Sequence, residues 1–248
     1  MILIVAAMEE ELQTAMRCCR DVERVAELDL PVWHAKTSSG IPLTFLRAGI
    51  GPKKSARRLA ETLDRIIPEL VLVAGYAGAL DPSLHVGDLV AVTRATPFRL
   101  NEEFKDWDHV ETDTTFDLTA IDLLTTTAAA AGLSITAGSI LSSKYILGNP
   151  EHKNLLFRRF QASVVDMETA FLAREAAFRG FPTGALRVIS DTAQDSFLAA
   201  FERDPDVKLT DRARKLLHVG SIQSVREWKS NAATARNVLQ RFWKTYLK

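Results

Sequence analysis

Cysteine is nearly absent from the 248 residues: Cys18 and Cys19 stand side by side, a spacing that an ordinary disulfide does not bridge. A disulfide framework is excluded, and a reducing, cytoplasmic setting is the expectation. Long apolar runs are missing too, so no membrane-spanning segment is predicted. The opening MILIVAAMEEEL carries acids where a secretory leader would carry a basic segment. Net charge is likewise absent, with 31 Lys and Arg against 31 Asp and Glu, so no overall field invites nucleic acid. The basic stretch PKKSARR therefore reads as a solvated helix face. Neither Gly-x-Gly-x-x-Gly nor a Walker loop occurs, which disfavours dinucleotide and nucleoside triphosphate ligands. The five histidines are scattered, and no cysteine or histidine cluster has metal-ligand spacing. No metal and no cofactor are expected.

What the chain does have is an ordinary globular composition, 47% hydrophobic and 25% charged, over a length suited to one large or two small domains. Ile2–Ala6 reads as a buried strand, followed by a helix with Leu12, Ala15, Met16 and Cys19 on one face. VWHAKTSSGIPLTFLRAGIG predicts a hairpin turning at Ser39-Gly40. A helix with Pro52 in its first turn follows, and then the strands ELVLVAG and VGDLVAVTRA. Between Phe98 and Phe116 the pattern dissolves into a polar loop bearing aromatics. Beyond it come the helix AIDLLTTTAAAAGL, the strand ITAGSILSSKYIL, the helix HKNLLFRRF, the strand ASVV, the helix METAFLAREAAFRG and the strand ALRVIS. Strands alternating with helices predict an α/β layered fold around a buried sheet. Beyond about residue 195 strand patterns cease, and the reading is one domain over 1–203 with a helical extension over 204–248.

In open α/β sheets ligands sit outside the carboxyl ends of the strands. Those ends carry Glu9–Glu11, Gly49-Ile50-Gly51, Gly75-Tyr76-Ala77-Gly78, Ser143-Lys144-Tyr145, Asp166 with Glu168, and Ser190-Asp191. Each has a bland explanation: the glutamates would complement a helix dipole, and Asp166 and Asp191 would be caps. Caps, however, need no convergence across three strands. Carboxylates converging without a metal suit hydrolysis through a cation-like sugar transition state. One activates water, a protonated one assists the leaving group, and a third can clamp two vicinal ribose hydroxyls. An acid facing a purine N7 would be helped to hold its proton by burial.

The segments IVAAMEEEL, AGIG, VAGYAGALDPSLHVGDLV, VVDMETAFLAREAAFRGFP and LRVISDTA, in that order, resemble the nucleoside phosphorylase and nucleosidase superfamily over roughly residues 1–200. They look most like its methylthioadenosine/S-adenosylhomocysteine nucleosidase branch. The resemblance implies a single-domain, three-layer α/β/α fold with a mixed central sheet. It also implies a nucleoside as ligand, homodimerisation, and release of adenine from a 5′-substituted adenosine by hydrolysis. By position, Glu11 matches the residue that activates water and Asp191 the acid at adenine N7, with Ser190 beside it. Glu168 matches the ribose clamp and Met167 the methionine under the sugar. Ala7, Ile50 and Gly78 fall where the family lines its pocket, Tyr145 and Ile146 in its base-stacking segment, and Phe201, with Phe197 competing, where it has a pocket aromatic.

Departures stand beside these matches. Tyr76-Ala77-Gly78-Ala79 replaces the family's Ser-Ala-Gly-Gly and brings a bulky ring to the site's edge. Asp166 replaces a glutamate, and SSKYILG lacks an aspartate of that segment, so the 5′ side of the substrate is expected to differ. The last residues, Ser224–Lys248, hold six bases against one acid and an apolar stripe of Val225, Trp228, Ala232, Ala235, Leu239, Phe242 and Tyr246. That stripe either docks on the protein's own domain or a partner, or lies on an anionic membrane. The extension and Asp-Met-Glu also resemble the hopanoid-associated phosphorylase branch, which implies an adenosylhopane-type substrate; a futalosine-type nucleoside is a further alternative. Phosphorolysis, with Arg47 holding phosphate, is a competing reading, and a non-catalytic nucleoside-binding protein a remote one. The Phe98–Trp107 loop is the candidate to close a partner's pocket.

Overall fold

The computed structural model describes residues 1–101, 103, 107–196 and 222–248, with backbone alone for 222–229. Its strands are β1 (Ile2–Ala6), β2 (Arg20–Arg24), β3 (Val32–Lys36), β4 (Pro42–Arg47), β5 (Leu70–Ala79), β6 (Leu89–Leu100), β7 (Val110–Thr112), β8 (Phe116–Asp117), β9 (Ile135–Ser142), β10 (Val164–Asp166) and β11 (Thr183–Asp191). Its helices are α1 (Glu9–Met16), α2 (Pro52–Leu63), α3 (Ile121–Ala130), α4 (Pro150–Phe160), α5 (Thr169–Phe178) and α6 (Ile222–Tyr246).

The strands form one mixed sheet in the order β10-β9-β6-β11-β5-β1-β4-β3-β2. β10 also pairs antiparallel with β5, Val164 opposite Ala79 and Val165 opposite Gly78, so five strands close into a ring at one end. The parallel pairs β1–β5 and β5–β11 form the middle of the sheet, and they bury continuous apolar runs on both faces. One face is covered by Leu59 and Leu63 of α2 with Ala170, Leu172, Ala173 and Ala176 of α5. The other is covered by Leu12 and Ala15 of α1, Leu124 and Ala128 of α3, and α6. This is the α/β/α layering that was expected.

Three readings of the sequence change. The Phe98–Phe116 stretch is not a plain loop: β6 runs on to Leu100 and pairs with β7 and β8. Turn-forming and charged residues hid these short strands, and the wholly exposed β2, RDVER, went unread for the same reason. Trp107 stacks on His152 of its own chain with ring centroids 4.4 Å apart, and meets Tyr145 edge-on at 5.9 Å.

The third change concerns α6. Ala235, Leu239, Phe242, Trp243 and Leu247 are all at most 2% exposed and pack against Ile4, Phe45, Leu72 and Leu186 of the sheet. Arg236 pairs with Glu10 of α1 at 2.9 Å. Of the two readings of the stripe, docking on the protein's own domain holds for the described side chains. The membrane reading loses its apolar face there, because that face is core. No helix among the described residues is long and apolar enough to cross a membrane.

Candidate active site

Glu11 stands in the first turn of α1, directly after β1. One carboxylate oxygen accepts the Met8 N–H at 2.8 Å, the half of a capping box that a glutamate supplies. The other accepts the Tyr76 N–H at 2.8 Å, tying the side chain to β5. Glu11 is buried, and burial is the main cause that raises its pKa, opposed chiefly by the charge of Arg187. The fit is close: a Cβ on Gly75 would lie 2.4 Å from Glu11 Oε1 and 2.6 Å from Arg187 Nη1. A glycine is therefore required where β5 passes under these two groups.

Arg187, in the middle of β11, is 1% exposed and joins the glutamate to the opening of α5. Its Nη2 donates to Asp166 Oδ2 at 2.7 Å and to Thr169 Oγ1 at 2.5 Å. Asp166 also accepts from Ser142 Oγ at 2.5 Å, from Thr169 Oγ1 at 2.5 Å and from the Thr169 N–H at 3.0 Å. Its lone pairs are thus used in fixing the entry to α5, although it ends β10 and the N-cap position itself is Glu168. Glu168, two residues on, faces differently. Its Oε1 accepts the Gly51 N–H at 2.7 Å, in the glycine turn after β4. Burial, with the Asp166 charge second, pushes its pKa up to about 8. A second hydrogen-bonding oxygen is left for a ligand.

Asp191 closes β11 on the other side of the β5 tip. Its Oδ2 would lie 2.7 Å from a Cβ on Gly78, so this glycine too is required by close approach. Ser190 Oγ donates to Oδ1 at 2.9 Å, and Lys153 Nζ to Oδ2 at 2.5 Å. Lys153 went unread in the sequence. The signal was its place on the buried stripe of α4, three residues before Leu156, where a lysine needs a partner.

Gly75 and Gly78 are three residues apart on β5, about 10 Å of extended chain. Ala7 holds the Gly49 N–H through its carbonyl at 3.0 Å, and Ile50 is exposed in the same turn. The Tyr76 ring packs into the cluster that α6 completes, so the tyrosine reaches Glu11 through its backbone N–H. Expected as a bulky ring at the pocket edge, it contributes a main-chain donor instead. Met167 and Ile146 are half-buried. Tyr145 lines a cavity of about 450 Å³ with Pro52, Phe98, Leu100 and Phe171, and with the charged residues Lys53, Arg99, Lys144, Arg174, Glu111 and Asp113. Pro52 follows the Gly51 that holds Glu168, and Phe171 stands one turn beyond Glu168, so this cavity adjoins the Glu168 end of the site. Phe201 and Phe197 lie outside the described residues. Among the described residues no cluster of three His, Cys, Asp or Glu could hold a metal ion.

The arrangement of buried acids around a mixed, partly closed sheet is that of a nucleoside-processing fold, and residues 1–244 match the family model of the phosphorylase superfamily. The chain belongs to that superfamily. Among its relatives, the 5′-methylthioadenosine/S-adenosylhomocysteine nucleosidase of Halalkalibacterium halodurans is 28% identical over 202 residues, 77% of this chain and 84% of that one. The crystal structure of the Campylobacter jejuni enzyme of the same name superposes with a TM-score of 0.72 at 19% identity, covering 98% of both chains. The futalosine hydrolase of Helicobacter pylori superposes with a TM-score of 0.71 at 20% identity, covering 97% of this chain and 96% of that one.

Proposed function

We propose that the protein is a nucleosidase: it hydrolyses the N-glycosidic bond of a 5′-substituted adenosine of the methylthioadenosine/S-adenosylhomocysteine type and releases adenine. The observation that carries the proposal is the pair of carboxyl groups, buried Glu11 and half-buried Asp191, held over Gly75 and Gly78 of one strand. Glu11, its pKa raised by burial, takes a proton from water as the oxygen attacks C1′. The C1′–N9 electron pair leaves with the base, and Asp191 gives a proton to N7. Glu168 clamps the ribose hydroxyls, with Met167 against the sugar. The names of the relatives support this substrate class.

Hydrolysis is favoured over phosphorolysis because Glu11, in the Ala-Met-Glu-Glu-Glu segment, is buried with its pKa raised, a base suited to water, whereas Arg47, the cation considered for phosphate, makes a half-exposed pair with Glu9. The largely apolar cavity beside Glu168, lined by charges of both signs, supports a bulky 5′ substituent, and the futalosine hydrolase likeness makes a futalosine-type nucleoside the second reading. The free cysteine pair fits cytoplasmic action, and the family resemblance supports a homodimer working in salvage of methionine-derived nucleosides.

The test is incubation with methylthioadenosine, adenosylhomocysteine, inosine and a futalosine-type nucleoside, with and without phosphate, following free base. Adenine release from the first two without phosphate is expected. Release that depends on phosphate and yields ribose 1-phosphate would reverse the mechanism, and cleavage of the futalosine-type nucleoside alone would move the substrate class. Light scattering checks the dimer.

A further inference from the structure

The Asp191 carboxyl is not alone. Lys153 is wholly buried, and its ammonium lies 2.5 Å from Asp191 Oδ2 and 2.6 Å from the Thr192 carbonyl. A lysine with no solvent contact is rare unless a partner compensates its desolvation. Here the partner is the one residue placed at the departing base. Among the described residues, the other groups facing Asp191 are Ser190 Oγ from its own strand and Gly78 from β5. Asp195, in the turn beyond, is engaged by the Thr192 N–H at 2.7 Å. The remaining buried acids, Glu11, Asp166 and Glu168, are served by Arg187 and backbone N–H groups. Lys153 is therefore dedicated to one carboxyl.

We propose that Lys153 is a positioning residue for the leaving-group step: its ammonium fixes one oxygen of Asp191 and meets the carboxylate that forms when the other gives its proton to the base. This rests on the assignment of Asp191 above. As the C1′–N9 bond breaks, its electron pair goes to the base, N7 takes the proton of Asp191, and the negative charge left on Asp191 is met by a cation already in place. Lys153 keeps its own protons. Such charge stabilisation, arranged before the reaction, acts only as charge develops and so falls on kcat more than on KM.

The experiment compares wild type with Lys153→Met, Lys153→Gln and Lys153→Arg on whichever adenosine nucleoside the wild type cleaves. In Met and Gln variants kcat is expected to fall on the order of 10²-fold with KM changed less than about threefold. Lys153→Arg, which keeps a cation at this place, should restore most of kcat. If Lys153→Met does not fold, Gln and Arg still compare the site with and without a cation. A fall of kcat in all three variants alike, or a rise of KM that matches the fall of kcat, would reduce Lys153 to packing and overturn the proposal, as would unchanged kcat in Met or Gln. Asp191→Asn separates the two levels. If that variant keeps full activity, the assignment of Asp191 fails; if it is inactive while Lys153 variants are unaffected, only the role of Lys153 fails.

Discussion

The two ends of the site treat the same chemical group in opposite ways. Around Glu11, Asp166 and Glu168 three buried carboxyls share one guanidinium, that of Arg187. At Asp191 a single carboxyl has a buried ammonium to itself. Charge is scarce at the first end, so the acids there hold protons more tightly; Glu11 and Glu168 both rise, with burial as the leading cause. At the second end one carboxyl and one ammonium are matched one to one among the described residues. One fold thus gives the same residue type two electrostatic settings, one crowded with acids and one with a cation of its own.

The largest effect expected from breaking the contrast is at Glu11. Glu11→Gln keeps the oxygen that accepts the Tyr76 N–H but removes the base, and kcat for adenine release should fall by about 10²- to 10⁴-fold with little change in KM. Steady-state kinetics beside a circular dichroism spectrum check this. Full activity would refute the water-activating role. Next comes the shared cation. Arg187→Met leaves Asp166 buried without its partner, a change that costs about 3–5 kcal/mol of stability. Urea denaturation measures it, and a loss below about 1 kcal/mol would mean that Arg187 is not the charge that holds this end together.

Glu168 tests the crowded end through pH. The unfolded chain loses this proton near 4.5, whereas the folded protein keeps it to about 8. Its contribution to stability is therefore whole below about 4.5 and is lost as pH rises through 8. Glu168→Gln, uncharged throughout, should melt close to wild type at about pH 5 and above it at about pH 9. Equal melting temperatures at both would show that Glu168 is not held in its protonated form. A higher melting temperature for Glu168→Gln at about pH 9, with lower activity, would instead show stability given up at a functional position.

How far the sequence foretold these features depends on how local they are. The alternation of buried strands and helices, the Ser39-Gly40 hairpin with Gly40 at φ 89° and Pro52 at the start of α2 are local, and each was legible. That Asp166 serves the entry to α5 was legible in part: it binds the Thr169 N–H, but the N-cap position is Glu168. What was hidden is non-local. Lys153 and Asp191 are 38 residues apart, and only the packing of α4 against the end of β11 brings them together. Arg187 sits inside an apolar strand string, ALRVIS, where its partners Asp166 and Thr169 belong to another element. The direction of the Tyr76 ring could not be read either, because it depends on α6, which joins the core from the far end of the chain.

The smallest effect is expected at a third ion pair, which sharpens the contrast from outside. Arg47 and Glu9 meet at 2.5 Å, but their side chains are 39% and 43% exposed. Water already solvates both, so such a pair contributes about 0–1 kcal/mol and leaves the neighbouring acids nearly untouched. Arg47→Ala should therefore change kcat/KM by less than about twofold, well under the roughly tenfold that 1.4 kcal/mol represents. The decisive arm adds phosphate. If Arg47 only anchors Glu9 at the edge of the site, phosphate changes neither wild type nor variant. If it leaves Glu9 to hold a phosphate nucleophile, wild type accelerates with phosphate and the variant does not. The second outcome would place the working cation at the exposed pair and turn the water-activating glutamate into a bystander.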